Sequence, residues 1–288
     1  MRVAVVGLGG VGGYIAASFV KAGIDVVGFA RGAHLAEIQS HGLTIVEDET
    51  TWNTKIDTRE EDDLDGYFEG AFDIVLFCVK SYDLQESLSH IKSHIDNYTT
   101  LLSLSNGVGN GDTLRALSDA TVLDGCIYIL SHIEKAGVIR KKGKNFFAVF
   151  NGDEEATQKL ATLFEKAELR FKTPSDIKTA IWKKYIFISA FATLTSYYKQ
   201  TIGEIYEFHK EEAKELLEEI ASFALAQGIE ISEEVDKALS VASKVPYDSL
   251  PSMALDFKNG KRVELDSLSG VVKTPLMSKF YEELKKRI

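Results

Sequence analysis

The chain has 288 residues, 45% hydrophobic and 26% charged, enough for one large domain or two ordinary ones around a substantial core. Asp and Glu number 43 against 33 Lys and Arg, and the net charge of -10 argues against nucleic acid or an anionic membrane as partner of the whole surface. Two cysteines, Cys78 and Cys126, make neither a disulfide framework nor a metal site by themselves, so no metal is expected and a reducing compartment is. Met1 leads straight into a strand, so no signal peptide is expected. The longest apolar run, Tyr185 to Leu194, is too short to span a bilayer, and the expected location is cytoplasmic.

Arg2-Val3-Ala4-Val5-Val6 is an apolar, β-branched run of strand length. Gly7-Leu8-Gly9-Gly10-Val11-Gly12 follows at once, and Tyr14 to Val20 reads as the helix it opens. In that order the glycines have distinct tasks: Gly7 permits the bend, Gly9 lets backbone approach a pyrophosphate, and Gly12 lets the helix pack closely on the strand. The helix N-terminus then offers N–H groups and a positive dipole end to the anion. Gly23 closes the helix, and Ile24 to Ala30 reads as a second strand. Strands at that place usually end in Asp or Glu when the ribose carries free hydroxyls. Here the chain reads Ala30-Arg31-Gly32, with His34 just beyond, which suits a 2′-phosphate and points to NADP(H). The plainer alternative makes Arg31 a solvated charge at a strand end.

Ala33 to His41 predicts a short helix, residues 42–46 and 52–56 paired strands, and Arg59 to Gly70 an acidic surface connection. Phe72 to Val79 is a nearly continuous apolar strand of the kind buried on both faces of a parallel sheet, and it delivers Lys80 at its carboxyl end. A helix over 83–95, a strand over 100–104 and a loop carrying Ser105-Asn106-Gly107 follow, then strands over 122–133, 138–140 and 145–150. This alternation predicts a Rossmann-type doubly wound α/β sheet over 1–173. From Thr173-Pro174 the pattern turns helical, over 176–198, 209–226, 232–243 and 276–287, and predicts an all-helical second domain over 174–288.

A nicotinamide enzyme needs a proton donor for the carbonyl that receives hydride. Ile181 to Ile188 is apolar on nearly all sides apart from Lys183 and Lys184. A lysine there must reach a cavity, find a carboxylate or lose its charge. Periodicity does not decide which of the two is solvated. Farther on, Ser252 to Asp266 mixes hydroxyl and carboxylate groups around a turn, and by itself passes for a surface loop with Glu264 solvated.

Taken together, these segments resemble the 2-dehydropantoate 2-reductase (ketopantoate reductase) family over essentially the whole length. The matching pieces are Gly7 to Gly12, Arg31, Val79-Lys80, Ser105-Asn106-Gly107, Trp182-Lys183-Lys184, Ser252-Met253 with Asp256, and Val263-Glu264-Leu265-Asp266. The resemblance implies a Rossmann domain followed by a helical domain, with the active site in the cleft between. It implies NADPH-dependent reduction of the C2 ketone of ketopantoate to pantoate, a step toward pantothenate and coenzyme A. It selects Lys184 as proton donor and places Asn106 by nicotinamide and substrate. It further implies that Lys80 joins Arg31 at the phosphate end of the cofactor, that Ser252 meets the substrate, and that Glu264 meets substrate and cofactor. Assembly as a homodimer is left open.

Three amide side chains of the family are missing: the equivalent positions hold Ile188, Ala192 and Ile202. Ser189, Thr193 and Thr195 are the neighbouring hydroxyls expected to substitute in part. The link from Ser269-Gly270 to Thr274-Pro275 is also shorter than the family's. The alternatives are a paralogue that reduces a more apolar 2-oxo acid, or a non-catalytic NADP(H)-binding sensor.

Overall fold

In the computed structural model, which describes residues 1–64 and 69–288, the chain opens with β1 (Arg2–Val6), α1 (Gly10–Lys21), β2 (Asp25–Phe29) and α2 (Gly32–His41). A hairpin of β3 (Leu43–Glu47) and β4 (Thr50–Thr54) follows, then β5 (Asp57–Arg59), β6 (Ile74–Phe77), α3 (Leu84–Ile91), β7 (Thr100–Ser103) and α4 (Asn110–Leu117). Two long strands, β8 (Thr121–Lys135) and β9 (Val138–Asn151), precede α5 (Glu154–Lys166) and β10 (Phe171–Lys172). Helices α6 (Ile177–Tyr198), α7 (Ile202–Phe208), α8 (Lys210–Leu225), α9 (Glu234–Ala242), α10 (Ser252–Lys258), α11 (Leu265–Leu268) and α12 (Pro275–Lys285) complete the chain. Part of the connection expected over 59–70, at 65–68, lies outside the described residues.

One compact unit comprises Met1–Ser105 and Gly109–Ile177, the other Asn106–Val108 and Lys178–Ile288. In the first unit the sheet runs β4-β3-β9-β8-β7-β6-β1-β2-β5, with β10 beside β9. From β5 to β8 every pair is parallel. Among the parallel strands the chain runs outward from β1 through β2 to β5, then crosses back to place β6 and β7 on the other side of β1, so the order reverses at β1, where open α/β sheets bind their ligands. Alternate residues of β1 serve opposite cores: Val3 and Val5 join Ile15, Phe19 and Phe164, while Ala4 and Val6 join Phe72, Phe77 and Leu88. The doubly wound sheet is therefore present, with a mixed flank of β8, β9, β3 and β4 beyond its parallel half.

Several elements differ from expectation. β9 is one strand rather than two, because it pairs with β8 on both sides of an irregularity opposite Leu130. Its polar middle, with Gly143 at φ +66, bulges out of the ladder, which makes the sequence look interrupted. Helix α3 is shorter than 83–95, since one 3₁₀ turn flanks it at each end. β5, α4, α5, β10, α7, α10 and α11 are additional to the expected elements. β5 has three residues, while α7 carries a capping box of Thr201 and Glu204.

The second unit is built on α6, whose buried face includes Trp182, Tyr185, Ile186, Ala190, Phe191 and Leu194. Tyr185 Oη and Ser189 Oγ both donate to the Leu268 carbonyl, at 2.9 and 2.6 Å, which ties α6 to α11. The short link after α11 is closed by Val272, which is 1% exposed.

Lys141 of β9 is buried in the first unit. It is 2% exposed, with Nζ donating to Glu47 Oε1 at 2.5 Å and to the Gly143 carbonyl at 2.8 Å. Burial, and next the Glu47 charge, push the Tyr14 phenol well above its usual range. Removing one partner strands the other's charge in poorly solvated surroundings. Lys141→Ala is therefore expected to lower the unfolding free energy by about 3 kcal/mol in urea denaturation; a change of only ~0.5 kcal/mol would show the pair to be dispensable.

Candidate active site

The glycine turn sits at the carboxyl end of β1. Gly7 and Leu8 N–H groups both donate to the Phe29 carbonyl, at 3.1 and 2.9 Å, so the turn is pinned to the end of β2. Gly7 has φ +92, and a Cβ there would lie 2.9 Å from Val79. Gly12 is tighter still, since a Cβ would come 2.2 Å from the Gly7 carbonyl oxygen. Around Gly9 the situation is opposite: a Cβ there would meet nothing within 4 Å. Gly9 is also the N-cap of α1 and makes no side-chain cap, leaving the first-turn N–H groups without a side-chain acceptor. An open face before uncapped donors fits a pyrophosphate.

The turn is braced by His34, through contacts that no local sequence pattern announces. The Gly137 N–H donates to His34 Nδ1 at 3.0 Å, which makes Nδ1 the acceptor; Nε2 then carries the proton and donates to the Leu8 carbonyl at 2.8 Å. Arg31, at the end of β2, donates through Nη2 to Glu61 Oε1 at 3.1 Å. Glu61 lies in the acidic stretch expected to be a surface connection, yet it is 6% exposed. Lys80 follows β6 and is half-buried at the same carboxyl edge of the sheet.

In the second unit, neighbouring lysines of α6 part company. Lys183 Nζ donates to Glu233 Oε1 at 2.8 Å and lies 3.6 Å from Glu234. The bond to Lys183, helped by Lys237, holds the Glu233 carboxyl down at about 2. Lys184 is half-buried and donates to Asn106 Oδ1 at 2.9 Å, and Asn106 belongs to this same unit. Glu264 is not a solvated carboxylate: it is 2% exposed at the start of α11. Ser252 is exposed in the first turn of α10.

The hydroxyls expected to stand in for the missing amides are spent elsewhere. Ser189 and Thr193 are 0% exposed and Thr195 is 1% exposed. Thr193 Oγ1 donates to the Ser189 carbonyl and shares a hydrogen bond with Ser269 Oγ, both at 2.7 Å, and Thr195 Oγ1 donates to the Phe191 carbonyl at 2.5 Å. Ala192 and Ile202 are likewise core residues. Ile188, one turn after Lys184, is half-buried and presents an apolar surface on the same stripe. Among the described residues no three or more His, Cys, Asp or Glu side chains group to hold a metal, and no helix is long and apolar enough to cross a membrane.

A family profile described as Ketopantoate reductase PanE/ApbA matches residues 3–152, and its counterpart for the C terminal matches residues 176–274. A 2-dehydropantoate 2-reductase of Pyrococcus abyssi is 27% identical over 278 residues, which cover 94% of this chain and 90% of that protein. The crystal structure of 2-dehydropantoate 2-reductase from Porphyromonas gingivalis W83 matches with a TM-score of 0.82 at 29% identity over 99% of both chains. The ternary structure of D-mandelate dehydrogenase with NADH and anilino(oxo)acetate shares the fold at a TM-score of 0.88 and 20% identity, covering 100% of this chain and 98% of that one.

Two glycines of the turn separate binding from folding. Gly9→Ala is expected to leave the melting temperature unchanged while weakening dinucleotide binding about tenfold or more, because its methyl would occupy the pyrophosphate approach. Gly12→Ala forces backbone apart and is expected to destabilise the fold by about 1–3 kcal/mol. Thermal unfolding and fluorescence titration of both variants check this contrast; equal melting temperatures would contradict it.

Proposed function

The chain belongs to the ketopantoate reductase family of nicotinamide-dependent oxidoreductases, and on that premise we propose that it uses NADPH to reduce the C2 ketone of a small 2-oxo acid, with 2-dehydropantoate as its first candidate substrate. The carrying observation is the hydrogen bond from Lys184 to Asn106. The dinucleotide, when bound, supplies a hydride to the C2 carbon. As that bond forms, the carbonyl π electrons move onto oxygen. The Lys184 ammonium, held by Asn106, is a charged donor that can stabilise the developing alkoxide. Lys184 then transfers a proton to that oxygen, giving the 2-hydroxy acid, and takes a proton back from solvent. Asn106 fixes the direction of the amine.

The remaining roles follow the same reading. The turn from Gly7 to Gly12 holds the pyrophosphate, and Arg31 with Lys80 the phosphate on the adenosine ribose. Glu264 and Ser252 meet the substrate, Glu264 also meeting the cofactor. Glu264, 2% exposed at the start of α11, belongs to the same unit as Lys184 and Asn106, which supports giving it a role in the site.

A second reading has one observation behind it. With Ile188 on the stripe beside Lys184, and Ser189, Thr193 and Thr195 bonded within the core, α6 offers an apolar wall where the family uses amides. That favours a 2-oxo acid with a branched or aromatic side chain over one carrying a hydroxyl. The D-mandelate dehydrogenase of the same fold, solved with anilino(oxo)acetate, shows an aromatic 2-oxo acid derivative on such a scaffold.

Lys184→Ala is expected to lower kcat/KM by about a thousandfold while NADPH affinity stays within about twofold. Equal loss of both would remove Lys184 from the chemistry. Kinetics on a panel of 2-oxo acids then choose the substrate: a branched or aromatic acid that exceeds 2-dehydropantoate by about a hundredfold in kcat/KM would replace it.

A further inference from the structure

We propose that Glu61 sets the coenzyme choice of this chain: paired with Arg31, it holds back selectivity for a 2′-phosphate and admits NADH as a working donor. This rests on the dinucleotide reading above. The Ala30 N–H donates to the Arg59 carbonyl at 3.1 Å, so the ends of β2 and β5 are joined and Glu61 arrives beside residue 31. Its Oε1 accepts from Arg31 Nη2 at 3.1 Å. The two side chains are placed unequally. Arg31 is 56% exposed, open to an incoming group, whereas Glu61 at 6% is fixed beneath it.

The second oxygen of Glu61 makes no hydrogen bond among the described residues and lies 3.5 Å from His90 Nδ1, which itself lies 3.2 Å from Asp62. The hydrogen bond to Glu61, with smaller contributions from the charges of Asp83 and Glu86, holds the Arg31 guanidinium above its ordinary value. A 2′-phosphate therefore gains the exposed donors of Arg31 but brings nearly two negative charges toward a carboxylate that cannot swing away. A free 2′-hydroxyl meets an arginine whose charge is already balanced, and carries no such penalty. Coenzyme selectivity is the difference between these two binding energies, and Glu61 acts on one side of it.

Glu61→Gln keeps an oxygen for Arg31 and removes the charge. In the full chain, measured by kcat/KM with one 2-oxo acid and by fluorescence titration, the NADPH:NADH preference is expected to rise about tenfold, with the NADH constants changed less than about twofold. Glu61→Ala, which leaves no buried amide to satisfy, is expected to move the preference the same way and decides the matter if the glutamine variant does not fold. A preference that stays put, or moves toward NADH, overturns the proposal. Binding of neither nucleotide by the unaltered chain would overturn the dinucleotide reading and this proposal together; binding of both with an immovable preference overturns this one alone.

Discussion

The Phe29 carbonyl accepts two backbone N–H groups, those of Gly7 and Leu8, and much of the first unit is arranged around that shared acceptor. It fixes where the chain leaves β1 and therefore where α1 begins. Because β2 is held in register with β1 along its whole length, the acceptor cannot drift. His34 adds a third restraint by gripping the Leu8 carbonyl from one side while receiving Gly137 from the other. A turn held this way presents its free N–H groups without needing a ligand to order it, and preorganisation of that kind lowers the entropic cost of binding.

Economy of polar groups organises the second unit. Tyr185, Ser189, Thr193 and Thr195 lie on the buried side of α6, and each hydroxyl finds a carbonyl or hydroxyl acceptor within the protein. Unpaired, each would carry a desolvation penalty of about 1–3 kcal/mol. The same helix turns Lys183 toward the acidic start of α9 and Lys184 toward Asn106, so adjacent identical residues acquire different surroundings from a rotation of about 100°.

Legibility in the sequence followed the range of the interactions. The run from Arg2 to Gly12 was readable because strand, glycine spacing and helix are all local, and β6 because a strand buried on both faces is apolar throughout. Helix α6 showed its length and its breaks for the same reason. What distant partners decide was hidden. Lys141 looks like one charge in a basic tract until β3 places Glu47 against it. Glu61 looks like surface until β5 pairs with β2. The hydroxyls of α6 looked available because spacing does not report that Leu268, Ser269 and carbonyls of α6 itself occupy them. Lys183 and Lys184 could be told apart in advance only through a resemblance, since their contacts lie about 50 and 78 residues away in the chain.

The chain visits its second unit twice. Asn106, Gly107 and Val108 are built into it, and the chain then returns to the first unit for some seventy residues, from Gly109 to Ile177, before helix α6 begins. A ribosome making this protein therefore delivers three residues of the helical unit long before the rest of that unit exists. They must wait, already tethered at both ends, for α6 to be synthesised. One cut near the inter-unit junction would sever Asn106 from Lys184, so the two units are not exchangeable as separate stretches of gene. A graft of the helical unit onto another dinucleotide sheet would have to bring this loop with it.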